Sequence, residues 1–147
     1  MENKNISFME LATVMKEILR VFKKRISQME NEEYRITHEQ LGLLHAIGMK
    51  EDDVIQKDMA EFMGKDKSTI LRLIDSLEDK DFVRRVTDKN DRRKNYIMVT
   101  KAGEKAIAEF KSMGKSIMED LKVGINENDI LIFQKVLNQI RNNAENL

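Results

Sequence analysis

Apolar residues recur at three- and four-residue steps along most of this chain, the spacing of buried helix faces. Over 56–63 the run is short, with Met59, Ala60, Phe62 and Met63 as its apolar side. Gly64 follows, the residue that takes a left-handed turn without a Cβ penalty. Asp66 is placed to cap a second helix over 67–80 by accepting a hydrogen bond from a free first-turn N–H. Ile70, Leu71, Ile74 and Leu77 give that helix its buried stripe. Runs 82–87 and 96–100 are rich in β-branched and aromatic residues and read as strands. The polar loop 88–95 between them holds three consecutive cations, Arg92, Arg93 and Lys94.

The flanks are helical. The first helix is expected over 7–30, with Phe8, Leu11, Met15, Ile18, Leu19, Phe22, Ile26 and Met29 in a long narrow seam. Its Lys23-Lys24-Arg25 cluster reads as a solvated face. Thr37 and Gln40 form a capping box that opens a second helix through Leu41, Leu44, His45 and Ile47, ending near Gly48. An acidic turn, Glu51-Asp52-Asp53, leads to Val54-Ile55, a candidate third strand beside the hairpin. Thr100 is placed to cap a long helix reaching Val123, with Ala102, Ala106, Phe110, Met113, Ile117 and Leu121 on its apolar side and Gly124 as terminator. Asn126 then caps a last helix, with Asp129 in its first turn and a stripe of Ile130, Phe133, Leu137, Ile140, Ala144 and Leu147. A seam that long is expected to be docked. The terminal helices carry more of it than one protomer needs, which predicts a two-fold homodimer.

The polar face of helix 67–80 carries the functional signal. At about 100° per residue, Ser68, Arg72, Ser76 and Asp79 point away from the stripe, with Thr69 and Asp75 at its edges. Cations and hydroxyls fill the first half, while Asp75, Glu78 and Asp79 crowd the second. A polyanion is therefore met by the N-terminal half, where the helix dipole also favours phosphate. The helix pair alone fits a solvated amphipathic pair equally well. The hairpin tips the balance: from Arg84 to Lys94 there are six cations and two anions. Helix, turn, helix and basic hairpin make a winged helix-turn-helix, whose second helix enters the major groove of duplex DNA. The formal net charge of zero conceals this, because residues 65–94 carry 10 cations against 7 anions, while 1–64 carry 9 against 12 and 95–147 carry 7 against 7.

In these segments the chain resembles the MarR family of bacterial transcriptional regulators. The matching stretches are 58–64, 67–78, 82–85 and, most specifically, Asp91-Arg92-Arg93 followed by Val99-Thr100-Lys101-Ala102-Gly103. Asp81 departs from the glycine often found after the recognition helix, but Asp tolerates the left-handed conformation better than most residues. The resemblance implies a dimer joined by helices from both chain ends, a wing arginine in the minor groove, and repression relieved by a small aromatic or lipophilic effector. Which residues would hold such an effector is unknown from the sequence. Several of the ten methionines lie on the helical stripes and read mainly as adaptable core filler.

The expected fold class is mainly α with a small β-hairpin wing (α+β): a single domain over 1–147, with a DNA-binding lobe at 36–100 and dimerisation helices at 1–35 and 101–147. Ser68, Thr69 and Arg72 are the expected base-edge contacts, since arginine hydrogen-bonds guanine bidentately and hydroxyls serve base or phosphate. Lys65 and Lys67 are expected to position phosphates. Arg92, Arg93 and Lys94 supply the wing, and Asp91 braces it by pairing with an arginine. The chain has no cysteine, which excludes disulfides, thiolate metal sites and the thiol-based peroxide sensing of some family members. Its two histidines, His38 and His45, stand about two helical turns apart, too far for a chelate, so no metal and no cofactor are expected. His45 is expected instead to be a hydrogen-bonded core residue. No paired acid and base, phosphate-binding glycine loop or nucleophile cluster points to an enzyme. No apolar run approaches the roughly 20 residues that span a bilayer and no secretion signal is visible, so a cytoplasmic, DNA-binding homodimer is expected. The competing class is a winged-helix module that binds protein and not DNA.

Overall fold

The computed structural model describes residues 5–29, 35–51 and 53–147. Its elements in chain order are α1 (Phe8–Met29), α2 (His38–Met49), β1 (Val54–Ile55), α3 (Gln56–Met63), α4 (Lys67–Asp79), β2 (Val83–Thr87), β3 (Asn95–Val99), α5 (Lys101–Leu121) and α6 (Glu127–Glu145). The expected end of α1 at Glu30, the side chain of Met29 and Asp52 of the acidic turn lie outside the described residues. The strands form one antiparallel sheet in the order β1-β3-β2, so Val54-Ile55 is the third strand beside the wing. The strand ends shift from expectation by one residue: Phe82 precedes β2, Asn95 opens β3 and Thr100 follows it.

Local chemistry sets the helix starts. The α2 capping box is present: Gln40 N–H donates to Thr37 Oγ1 at 3.2 Å, and Thr37 N–H donates to Gln40 Oε1 at 3.1 Å. A second such box, which the stripe pattern alone does not reveal, opens α1. There Glu10 N–H donates to Ser7 Oγ at 3.1 Å and Ser7 N–H donates to Glu10 Oε2 at 2.8 Å. Gly64 ends α3 at φ 59°, and Gly124 takes φ 82° beyond α5.

The chain divides into two compact units, Met1–Gly114 and Lys115–Leu147. In the first, Leu43, Leu44, Met59, Ile70, Ile74, Leu77 and Val83 are fully buried and join α2, α3, α4 and β2 in one core. Phe22 and Phe110 pack edge to face beside it, with ring centroids 5.4 Å apart. His45 is half-buried and meets Phe110 edge-on at 5.4 Å. Burial, and then the charge of Lys111, hold its pKa below the usual imidazole value. On α3, α4 and the first turn of α5, Phe62, Leu71 and Ala102 were expected on apolar faces and are exposed, as are Phe8, Leu11, Met15, Ile18 and Leu19 of the α1 seam. Phe62 instead lies under the Lys50 ammonium, 6.0 Å from its ring centroid. In the second unit Asn126 caps α6 by accepting the Asp129 N–H at 2.9 Å. No residue of α6 is buried.

Candidate nucleic-acid interface

Asp66 starts the recognition-like helix. Its carboxylate accepts the Thr69 N–H at 2.9 Å and the Thr69 hydroxyl at 2.7 Å. Those two bonds hold the Asp66 carboxyl below the usual carboxylate range. Thr69 is therefore a half-buried part of the cap as well as a candidate contact, and its oxygen retains only acceptor capacity. Lys67, Ser68 and Arg72 are exposed on the N-terminal half of α4, and Arg72 forms no ion pair among the described residues. Lys65 is half-buried, with its ammonium 3.4 Å from Glu39 of α2. It reaches a phosphate only by exchanging that partner, whereas Lys67 is unengaged among the described residues.

The C-terminal half of α4 is committed to the protein. Arg85 of β2 spans Asp75 and Glu78, with nitrogen–oxygen distances of 2.5 Å to each. Its backbone N–H also donates to Glu78 at 2.9 Å, which fills a donor on the open edge of the sheet. The backbone and side-chain bonds from Arg85 hold the Glu78 pKa below normal. This clamp ties the strand that leads into the wing to the helix that carries Ser68 and Arg72. The charge pattern placed acids in this half of α4 but did not identify Arg85 as their partner. Ser76 is likewise not free: its hydroxyl accepts from Gln40 Nε2 at 2.8 Å.

Inside the wing, Asp88 is the organising residue. One carboxylate oxygen accepts the N–H groups of Asn90 at 2.6 Å and Asp91 at 2.9 Å, and the other accepts the Tyr96 hydroxyl at 2.7 Å. The Tyr96 bond first, and then the two backbone bonds, lower the Asp88 pKa, and the same contact raises that of Tyr96. Asp91 does brace the loop, but through the backbone: its carboxylate accepts the Arg93 N–H at 3.0 Å, not an arginine side chain. Arg92, Arg93 and Lys94 are exposed, and Arg92 and Arg93 form no ion pair among the described residues. Not every cation of the hairpin is available, since Arg85 is clamped and Arg84 lies 3.2 Å from Asp81.

The Thr-x-x-Gly segment after the wing has a physical reason. The Thr100 hydroxyl donates to the Asp81 carbonyl at 2.5 Å and accepts the Gly103 N–H at 3.1 Å, capping α5. Asp81 itself sits at φ 59°, the left-handed position expected of it. A side chain at Gly103 has no room, because its Cβ would lie 2.2 Å from the Phe82 carbonyl oxygen. The motif thus locks the start of α5 against the turn between the recognition helix and the wing.

Among the described residues no cluster of metal-ligating side chains is present, and no helix is long and apolar enough to cross a membrane. Residues 36–94, which contain the helix-turn-helix and the wing through its basic tip, match the MarR family. The transcriptional regulator HosA of Escherichia coli O127:H6 is 22% identical over 126 residues, covering 86% of this chain and 93% of that protein. A crystal structure of MarR is 26% identical, with a TM-score of 0.78 over 93% of this chain and 98% of that one. A Staphylococcus aureus MepR mutant bound to an oligodeoxyribonucleotide is similar in fold, at 21% identity and TM-score 0.66, covering 95% of this chain and 99% of that one. Over residues 36–94, which hold the capped recognition helix and the basic tip of the wing, the chain is similar to the MarR family, and its fold is that of a winged helix-turn-helix.

Proposed function

We propose that this regulator binds a pseudo-palindromic DNA site as a homodimer in the cytoplasm, represses transcription there, and leaves the site when a small aromatic or lipophilic effector binds. The observation that carries the reading is the N-terminal half of α4, whose Lys67, Ser68 and Arg72 are exposed while its C-terminal acids are held by Arg85. In this reading Ser68, Thr69 and Arg72 reach base edges in the major groove, and Lys65 and Lys67 set register on phosphates. Arg92, Arg93 and Lys94 take the flanking phosphates and the minor groove, whose negative potential favours arginine. The oligodeoxyribonucleotide on the MepR relative supports DNA as the ligand.

A second copy is the proposed cover for the apolar faces of α1 and α6. Phe8, Leu11, Met15 and Leu19 are exposed on α1, as are Phe133, Leu137 and Ile140 on α6. A two-fold dimer places two α4 helices in successive major grooves, about 34–36 Å apart. Release then requires that the effector bind more tightly to an arrangement of the two lobes that mismatches this spacing. The protein acts by binding, without chemistry of its own.

Selection of bound sequences from random duplex DNA at near-physiological salt tests the reading. The expected product is a pseudo-palindrome with half-sites about one helical turn apart. A wild-type protein that enriches no sequence is not a sequence reader, and the winged helix then serves a protein partner.

A further inference from the structure

We propose that Gln40 is a positioning residue for DNA recognition: from the start of α2, it sets the rotation of the recognition helix about its own axis. The proposal rests on the DNA-reading role of α4. Gln40 is 8% exposed, and its carboxamide makes three bonds at once. Oε1 accepts the Thr37 N–H at 3.1 Å and the Lys80 ammonium at 2.8 Å, while Nε2 donates to Ser76 Oγ at 2.8 Å. Lys80 also donates to the carbonyl of Arg35, a residue held at φ 34°. One side chain therefore completes the α2 cap and grips the C-terminal end of α4.

Rotation is the freedom that the apolar core leaves open. Ile70, Ile74 and Leu77 bury one stripe of α4, and hydrophobic contact is non-directional. Hydrogen bonds are directional and weaken steeply off axis. At about 100° per residue, Ser76 and Lys80 lie on one flank of that stripe. Asp75 and Glu78, gripped by Arg85, lie on the other flank. The helix is tethered on both sides, and Ser68 and Arg72 are left pointing away from the core. With side chains a helix is about 10–12 Å across, so a roll of about 10° moves a tip by about 1 Å. That is enough to misalign a bidentate arginine–guanine pair, while a phosphate contact, made by a flexible lysine to a charge, tolerates it. The Gln40 tether is thus assigned to specificity, and the loose contacts to affinity for any duplex.

Gln40→Met and Gln40→Glu separate this from a merely structural role. Methionine matches the length and removes every bond. Glutamate keeps both acceptor bonds, and the Ser76 hydroxyl turns to donate to it. The measurement is affinity for the selected DNA site and for random duplex, below the melting temperature of each variant. Gln40→Met is expected to lose about tenfold or more on the site and less than about threefold on random duplex, with Gln40→Glu restoring the wild-type ratio (one good base contact discriminates by about tenfold or more). Equal losses on both duplexes, or none, overturn the proposal. Ser76→Ala removes only the α4 end of the tether and predicts the same split, which covers a Gln40→Met protein that does not fold. Residual dipolar couplings of α4 amides in the free protein give a readout independent of DNA. A roll in Gln40→Met that Gln40→Glu reverses is expected; unchanged couplings overturn the proposal, whereas a wild-type protein without a preferred site sinks the DNA reading instead.

Discussion

The Cβ that alanine would carry at position 103 meets a backbone oxygen, Phe82 O, at 2.2 Å and the Val99 side chain at 2.7 Å. A side-chain neighbour could rotate away, but the Phe82 carbonyl cannot, because it accepts the Thr100 N–H at 3.0 Å. Gly103→Ala is expected to cost about 3 kcal/mol, the upper end of overpacking penalties. For a chain of this size that corresponds to a fall of about 6–12 °C in Tm. A melting curve that matches wild type contradicts the close approach. Arg72 has the opposite character, exposed and without an ion pair among the described residues. Arg72→Ala is expected to leave Tm unchanged and to cost about 1–3 kcal/mol on the preferred DNA site, with a much smaller loss on random duplex. Equal losses on the two duplexes make it a backbone contact.

At the scale of elements, the wing depends on a single carboxylate. The Asp88 pKa is depressed by the Tyr96 hydroxyl and by two backbone N–H groups, so the folded loop favours the ionised form. A depressed acid contributes stability that is fully present above its unfolded pKa and lost as pH falls through the folded one. The wing is therefore expected to stay ordered through the ordinary aspartate range near about pH 3.9 and to loosen only below it. Amide shifts of Asn90 and Asp91 followed through an acid titration report the transition, and a midpoint at the ordinary value removes Asp88 from this role. At the tip, Arg93→Ala is expected to reduce the slope of log affinity against log salt by about 1 if Arg93 neutralises a phosphate. An unchanged slope and affinity place Arg93 outside the interface. What the sequence made legible in these elements was local. The α2 capping box, Gly64, Asp66, the left-handed Asp81 and the strand–loop–strand of the wing each follow from residues a few positions apart. The Arg85 clamp, the Gln40 tether and the exposure of Phe62 and Leu71 were not legible, because each depends on which elements meet after packing. Even within the wing, a basic run draws the eye to its arginines, while the residues that shape the loop are two aspartates acting on backbone N–H groups.

The whole molecule shows the same division between what one chain satisfies and what it leaves open. Residues 36–94 bury their stripes on one another, whereas α6 buries none of its residues and α1 leaves Phe8 80% exposed. Contiguous exposed apolar surface of that extent marks an interaction site. On helices with near-heptad seams the self-complementary solution is a two-fold pair. Leu137, 51% exposed in the single chain, lies on that seam, so aspartate there meets water in a monomer and an apolar face in a dimer. Leu137→Asp is expected to leave helix content and the melting of residues 36–94 intact and to shift the sedimentation coefficient from dimer to monomer. Asn142→Asp, on the other side of α6, is the matched charge control and is expected to remain dimeric. The consequence for DNA follows from linkage of the two half-sites. A dimer pays the translational cost once for two recognition helices, and separating them is expected to lower operator affinity by about 10²–10⁴-fold, while each lobe keeps its half-site preference. A Leu137→Asp protein that sediments as wild type moves the dimer contact away from α6. One that becomes monomeric yet binds the full site unchanged shows that a single lobe reads the operator, and that pairing serves some step other than recognition.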